Sequence, residues 1–286
     1  ESNVIGMTGI LAEYINQVII NECDDCFYKE GEVFWLDINS GNNNIEIKSI
    51  LHVNSTLEPI IFLHEGLGSI SLWKDFPDKI AKITKRDVIV YSRLGMGNSS
   101  SLKEPRNVYY MHHEAKNYLP KILKYLKITN PILFGHSDGA SIALIYAGNK
   151  NNVKSLILEA PHVFVEDISI KGINDAKKMW NNSNLKDKLS KYHKDPDGAF
   201  NGWCNAWLSK EFRKWNIEEY LDKISAPILL LQGNEDTYGT LKQLESIENN
   251  TKGIVQRYEL ENCGHSPHTQ FPDIISNQVE RFLNNI

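Results

Sequence analysis

Long hydrophobic runs are absent from this chain of 286 residues. Its apolar runs, such as residues 228–231, have the length of a strand, whereas a helix needs about 20 apolar residues to cross a bilayer. The first residues show no basic region followed by an apolar stretch, which argues against a signal peptide. We therefore expect a cytoplasmic protein with no membrane span.

Cysteine and strong charge are scarce as well. The chain has four cysteines, of which Cys23 and Cys26 form a C-x-x-C pattern. A structural zinc site needs four ligands, and no second C-x-x-C or H-x-x-x-H pattern provides the other two. Two reduced thiols are the simpler interpretation, and we predict no metal and no cofactor. The formal net charge is −5 without a basic patch, which argues against nucleic-acid binding.

The most informative motif is the sequence Gly-His-Ser-Asp-Gly at residues 135–139. An apolar run at 131–134 leads into it, and an alanine-rich helical pattern follows at once. A strand must therefore turn sharply into a helix with Ser137 at the apex, and the flanking glycines avoid a collision between the two. This context predicts a nucleophile elbow in which the hydroxyl of Ser137 is the nucleophile.

Strand and helix patterns alternate along most of the chain. An antiparallel hairpin is predicted at 33–38 and 45–53, after an amphipathic helical segment within residues 1–30. The further predicted strands are residues 59–63, 87–91, 131–134, 153–159, 227–232 and 253–260. This alternation predicts an α/β fold, with a mostly parallel sheet and helices on both faces.

The strand pattern stops between residues 162 and 224, where lysine-rich helical sequence with many aromatic residues takes over. Ordinary connections have a median of about 4–6 residues, so we predict a helical cap at 162–224 on a core formed by 1–161 and 225–286. The aromatic residues of this segment could form its own core or line a pocket. Trp203 and Trp207 are the candidates for substrate binding.

A serine hydroxyl needs a base within hydrogen-bond reach, and that base needs an acid to orient it. Reactive groups of an open α/β sheet collect at the carboxyl ends of its strands. Ser137, Asp236 and His265 each follow a predicted strand. Their order along the chain, serine then acid then histidine, is that of one hydrolase architecture.

Two alternatives compete with this assignment. Glu235 could be the acid, although Asp236 lies three residues past the strand-ending Gly233. His268 could be the base, but Pro267 is expected to begin the last helix and to place His268 inside it. The other histidines are interpreted as structural: His64 holding its loop by hydrogen bonds, His136 packing locally, and His112, His113 and His162 as surface or packing residues.

Acyl transfer passes through an oxyanion that requires two fixed N–H donors. The backbone N–H of Asp138, directly after the nucleophile, is one expected donor. Gly66, in the loop at residues 64–68 after an earlier strand, is the expected second donor. The side chain of Asp138 is interpreted separately, as a cap of the following helix.

Together these motifs resemble the α/β-hydrolase superfamily, in its capped, cofactor-independent branch. The resemblance covers nearly the whole chain and implies a Ser137–Asp236–His265 triad with a cap at about 162–224. Members commonly have His-Gly where this chain has His64-Glu65. Dehalogenases and epoxide hydrolases of this fold use an aspartate nucleophile, which Ser137 replaces here. The resemblance implies no particular substrate, because this fold serves many reactions.

We therefore expect a serine hydrolase that cleaves a small carboxylic ester, thioester or related bond through an acyl-enzyme on Ser137. Its partner would be a small-molecule substrate with an apolar or aromatic acyl group. Two alternatives stay open: a ligand-binding or signalling protein with slow turnover, and a carbon–carbon bond hydrolase or lyase that uses the same residues. The sequence predicts no oligomeric state.

Overall fold

The computed structural model describes residues 33–37, 43–51 and 55–286, and its main feature there is one eight-stranded sheet. The strands are β1 (Val33–Asp37), β2 (Asn44–Ile50), β3 (Ile60–Leu63), β4 (Val88–Ser92), β5 (Ile132–His136), β6 (Ser155–Glu159), β7 (Ile228–Gly233) and β8 (Val255–Leu260). The leading helix predicted within residues 1–30 and the C-x-x-C pattern lie outside the described residues.

The strand order is β1-β2-β4-β3-β5-β6-β7-β8. The β1–β2 and β2–β4 pairs are antiparallel, and all pairs from β4 through β8 are parallel. The predicted hairpin and mostly parallel sheet are confirmed. Because the parallel strands share one direction, their carboxyl ends meet at one edge, where loops can bring side chains together.

Helices cover both faces of this sheet. They are α1 (Phe76–Thr84), α2 (Tyr110–His113), α3 (Leu119–Tyr125), α4 (Asp138–Gly148), α5 (Asp167–Asn182), α6 (Leu185–Leu189), α7 (Pro196–Trp207), α8 (Lys242–Asn250), α9 (Pro267–Gln270) and α10 (Pro272–Asn284). Alternate strand residues point to opposite faces: Ile61 and Leu133 pack with α4, whereas Phe62 and Phe134 pack with α1 and α10.

The turn from β5 into α4 brings strand and helix into very close contact. A Cβ atom at Gly139 would lie 1.9 Å from the carbonyl oxygen of Leu63, and one at Gly135 would lie 2.5 Å from the carbonyl oxygen of Gly139. Neither position has room for a side chain. This confirms the predicted reason for the two glycines of the motif.

The segment between β6 and β7 contains α5, α6, α7 and two short 3-10 helices, Phe212–Lys214 and Glu218–Lys223. We call it the β6–β7 insertion. A π-helical turn, Glu114–Tyr118, separates α2 from α3. One local expectation was wrong: Pro267 starts a separate short helix, α9, and the last helix begins at Pro272.

Candidate active site

Ser137 lies at the apex of the turn between β5 and α4. Its backbone has φ 53° and ψ −116°, a conformation that is uncommon for any residue other than glycine. The turn is held by hydrogen bonds: the N–H of Ser137 donates to the carbonyl of Glu159 at 2.8 Å, and the N–H groups of Ala140 and Ser141 donate to the carbonyl of Ser137. The nucleophile elbow predicted from the sequence is therefore present as a backbone geometry.

Asp236 and His265 form a hydrogen-bonded pair after β7 and β8. Nδ1 of His265 lies 2.9 Å from Oδ1 and 2.8 Å from Oδ2 of Asp236. Since an ionised carboxylate only accepts, the proton of the imidazole is on Nδ1, and Nε2 is left to act as a base. Two donors hold the carboxylate in turn: the N–H of Tyr238 at 2.8 Å and Nε2 of Gln232 at 3.2 Å.

The carboxylate of Asp236 is ionised. Burial raises its pKa, but the charge and hydrogen bonds of His265 and the N–H of Tyr238 more than offset this and lower the pKa below its ordinary value. The alternative acid, Glu235, is exposed. The alternative base, His268, lies buried in α9 with Nδ1 2.9 Å from Oε2 of Glu159. Neither alternative lines the cavity described next.

A cavity of about 230 Å³ lies at the carboxyl edge of the sheet, beneath the β6–β7 insertion. It brings together Ser137 and His265, the two expected N–H donors Gly66 and Asp138, and the tryptophans Trp203 and Trp207. Its full lining is Glu65, Gly66, Leu67, Ser137, Asp138, His162, Ser169, Ile173, Trp203, Trp207, Tyr238, His265 and Ser266.

The loop at residues 64–68, which we call the β3 loop, is fixed by His64 and Arg93. Nδ1 of His64 donates to the carbonyl of Glu65 at 2.7 Å, and Nε2 accepts the N–H of Arg93 at 3.0 Å. The Arg93 guanidinium donates to the carbonyls of His64 and Glu65. Burial, followed by the charge of Arg93, holds the pKa of His64 well below its ordinary value. The predicted structural role of His64 is confirmed.

The interpretation of the Asp138 side chain as a helix cap was wrong. No side chain caps α4. The carboxylate instead points into the interior, where it accepts hydrogen bonds from the Tyr110 hydroxyl and, at 3.2 Å, from the indole Nε1 of Trp207. Arg93 Nη2 is 4.0 Å away. A buried carboxylate requires such partners, and here one of them belongs to the β6–β7 insertion.

Sequence reasoning missed His162 and Tyr238. The His162 ring lies 5.8 Å and the Tyr238 ring 4.8 Å from the ring of His265. Burial, and then the charge of His265, lowers the pKa of His162 to about 3, so this imidazole is neutral. The sequence contained a signal that His162 lies near the site, because this residue follows β6 just as Ser137, Asp236 and His265 follow their strands.

Comparison with known proteins agrees with this architecture. Residues 58–194 match the family described as alpha/beta hydrolase fold. The chain is 24% identical over 277 residues to a proline iminopeptidase of Lactobacillus acidophilus, covering 80% of this chain and 91% of that protein. The solved proline iminopeptidase of Mycobacterium smegmatis has a TM-score of 0.69 at 16% identity, covering 89% of this chain and 98% of that one. The enol-lactonase of Burkholderia xenovorans LB400 gives 0.68 at 16% identity, covering 88% and 100%.

The chain therefore has the α/β-hydrolase fold, and it is similar to hydrolases of that family. At 16% identity, the two solved structures share its fold and no more. No helix among the described residues is both long enough and apolar enough to span a membrane.

Proposed function

We propose that this protein is a serine hydrolase that cleaves a small ester, thioester or related acyl bond through an acyl-enzyme on Ser137. The observation that carries the proposal is the meeting of three features at one cavity: a serine on a strained turn, a histidine whose Nδ1 is held by Asp236, and backbone N–H groups at a helix start. We also propose that the β6–β7 insertion is the cap of this site, and that the cap and core are the two domains of the chain.

The reaction follows from these positions. Nε2 of His265 accepts the hydroxyl proton of Ser137 as Oγ attacks the carbonyl carbon of the substrate. The N–H groups of Gly66 and Asp138 donate to the oxygen that becomes negative. The bond to the leaving group then breaks, and the leaving group takes the proton from Nε2. A water molecule, whose proton passes to Nε2 of His265, then attacks the acyl-enzyme. The bond to Oγ of Ser137 breaks, Oγ takes the proton back from Nε2, and the acid is released.

The lining of the cavity indicates the class of substrate. Trp203, Trp207 and Ile173 provide apolar surface, while a volume of about 230 Å³ restricts the acyl group to a small one. We therefore propose a small apolar or aromatic acyl group, bound against Trp203 and Trp207.

An N-terminal peptidase is the second candidate, because a relative aligned over 80% of this chain is named a proline iminopeptidase. Such a substrate carries a cationic amine. Two carboxylates line the cavity: that of Asp138 accepts hydrogen bonds from Tyr110 and Trp207, and that of Glu65 lies 3.5 Å from Nδ1 of His136. Because the Glu65 carboxylate is paired with His136, it is not free to bind the amine of a substrate. This pairing favours an ester over an amine-bearing substrate.

A panel of substrates with stopped-flow detection tests the proposal. It contains p-nitrophenyl acetate, butyrate and benzoate, a short acyl-thioester, and proline p-nitroanilide. We expect a burst of p-nitrophenol equal to the enzyme concentration, followed by slower turnover, because acylation precedes hydrolysis. Fastest turnover of proline p-nitroanilide would select the peptidase. Binding without a burst or turnover on any substrate would favour the ligand-binding alternative.

Substitution of Gly66 by alanine tests the proposed oxyanion donor. A Cβ atom there would lie 2.2 Å from the indole Nε1 of Trp203, so the β3 loop or the tryptophan must move. We expect kcat to fall by about a hundredfold or more, the usual effect of losing one such donor. Gly202→Ala, on the same helix as Trp203, is the matched control, since its nearest neighbour is 3.8 Å away. Equal activity of the two variants would remove Gly66 from the proposed site.

A further inference from the structure

His136, the residue before the nucleophile, touches all three segments that carry the proposed reacting groups. It is 1% exposed. Its Nε2 donates to the backbone carbonyl of His265 at 2.7 Å. Its Nδ1 lies 3.5 Å from Oε2 of Glu65 in the β3 loop. One imidazole therefore links the nucleophile elbow, the loop of the base and the loop of the expected second oxyanion donor.

The carboxylate of Glu65 creates an electrostatic problem at this place. It is one residue from Gly66, and a Cβ atom at Gly68 would lie 2.4 Å from its Oε2, so the carboxylate folds over the β3 loop itself. An unpaired anion beside an oxyanion donor opposes the negative charge that develops on the substrate. A cation within ion-pair distance of this carboxylate cancels most of that effect.

The surroundings of His136 decide whether it is that cation. The titratable and charged groups that face it come from the β3 loop, the end of β6, the loops after β6 and β8, and α9: Glu65, Glu159, His162, His265 and His268. Burial lowers the pKa of His136, but the charge of Glu159 and the charge and contact of Glu65 outweigh burial and raise the pKa to about 9. The imidazole is thus charged at neutral pH.

Glu159 is already paired with another histidine. Its carboxylate is fully buried and accepts hydrogen bonds from Nδ1 and the backbone N–H of His268, at 2.7 to 3.0 Å. Glu65 has His136 as the cationic side chain within ion-pair distance, among the residues that the structure describes. The charge of His136 therefore matters most for Glu65.

We propose that His136 is a positioning residue whose imidazolium neutralises Glu65 and holds the β3 loop and the His265 loop in fixed positions relative to Ser137. This inference rests on the proposed function, because it concerns the stabilisation of an oxyanion formed at Ser137. It explains why this chain can carry a glutamate in the β3 loop. The acidic residue is tolerated because its counter-charge is built into the elbow.

Removal of one charge, and then of both, tests the proposal. In His136→Gln, the side-chain amide can still donate to the carbonyl of His265, but Glu65 loses its counter-charge. We expect kcat for an ester to fall on the order of tenfold to a hundredfold with KM little changed. Adding Glu65→Gln to that variant should restore kcat to within about fivefold of the wild type, since the pair acts as a unit. His113→Gln, at an exposed histidine, is the control.

The pH profile of kcat gives a second readout. The raised pKa of His136 means that the ion pair is present below about pH 9 and is lost as the pH rises through that value. Wild-type kcat should therefore fall above about pH 9. In Glu65→Gln no carboxylate is left unpaired, so this alkaline decline should disappear. This comparison of the wild type with Glu65→Gln tests the role of His136 even if the His136→Gln variant does not fold.

The outcomes separate this inference from the proposed function. An absence of turnover in the wild type would overturn the proposed function itself. Wild-type turnover with an unchanged His136→Gln variant would overturn the role of His136 alone. Failure of Glu65→Gln to restore the folded His136→Gln variant, or an alkaline decline that persists in Glu65→Gln, would also overturn it, because a purely structural histidine gives those results.

Discussion

Replacement of Ser137 by alanine should lower kcat by about four to six orders of magnitude, to the residual rate of the binding site and oxyanion donors alone. The change removes one oxygen atom and leaves the backbone of the elbow intact. Its turn is held by main-chain hydrogen bonds from Ser137, Ala140 and Ser141. Substrate binding should therefore survive, with KM changing little while kcat collapses. Steady-state kinetics on the best ester of the panel measure both constants.

Ser155→Ala is the matched control for this change. Ser155 is a buried serine on β6, and its hydroxyl has no hydrogen-bond partner within the described part of the chain. Loss of that hydroxyl should leave kcat within about twofold, because the substitution breaks no hydrogen bond among the described residues. Residual activity of Ser137→Ala above one per cent of the wild type would mean that another group is the nucleophile.

Replacement of Asp236 by asparagine should lower kcat by about four orders of magnitude. The two carboxylate oxygens lie 2.8 and 2.9 Å from Nδ1 of His265 and fix its proton there. An amide in the same place can donate to Nδ1 instead, which moves the proton to Nε2 and removes the base. The imidazolium formed during the reaction would also lose its negative partner.

Glu235→Gln provides the control for the acid. Glu235 is adjacent in sequence and carries the same charge, but its side chain is exposed. We expect wild-type kcat from Glu235→Gln and the large loss only from Asp236→Asn. The reverse result would assign the acid to Glu235, the alternative that the sequence left open. Thermal unfolding of both variants shows whether the loss of activity arises without loss of the fold.

The sequence predicted the features that depend on neighbouring residues. The elbow followed from an apolar run, two glycines and a helical pattern, all within 135–139 and its flanks. The pairing of Asp236 with His265 followed from their places after strands, because parallel strands end at one edge. The mostly parallel sheet and these two loops could therefore be predicted from the sequence, whereas the order of the strands was not predicted.

What the sequence could not predict are contacts between segments far apart in the chain. The Asp138 carboxylate looked like a helix cap because such residues often occupy helix starts. Its true partners, Tyr110 and Trp207, come from α2 and from the β6–β7 insertion. The link between His136 and Glu65 has the same origin, since it joins residues 71 positions apart. No local pattern marks such a pair.

The β6–β7 insertion is more closely tied to the site than its sequence indicated. Trp203 packs on Gly66 so tightly that a Cβ atom would collide with its indole. Trp207 donates a hydrogen bond to the side chain of Asp138, the residue after the nucleophile. Both contacts reach residues whose N–H groups are the proposed oxyanion donors. The position of the insertion and the geometry of these donors are therefore coupled.

The most direct test of the account is labelling with a fluorophosphonate probe followed by intact-mass spectrometry. Such a probe bonds covalently only to a serine whose hydroxyl is activated by a base. We predict a single adduct on the wild type, located at Ser137 by peptide mapping, and no adduct on Ser137→Ala. A wild-type protein without an adduct, or a variant that still carries one, would contradict the assignment of Ser137 as the nucleophile.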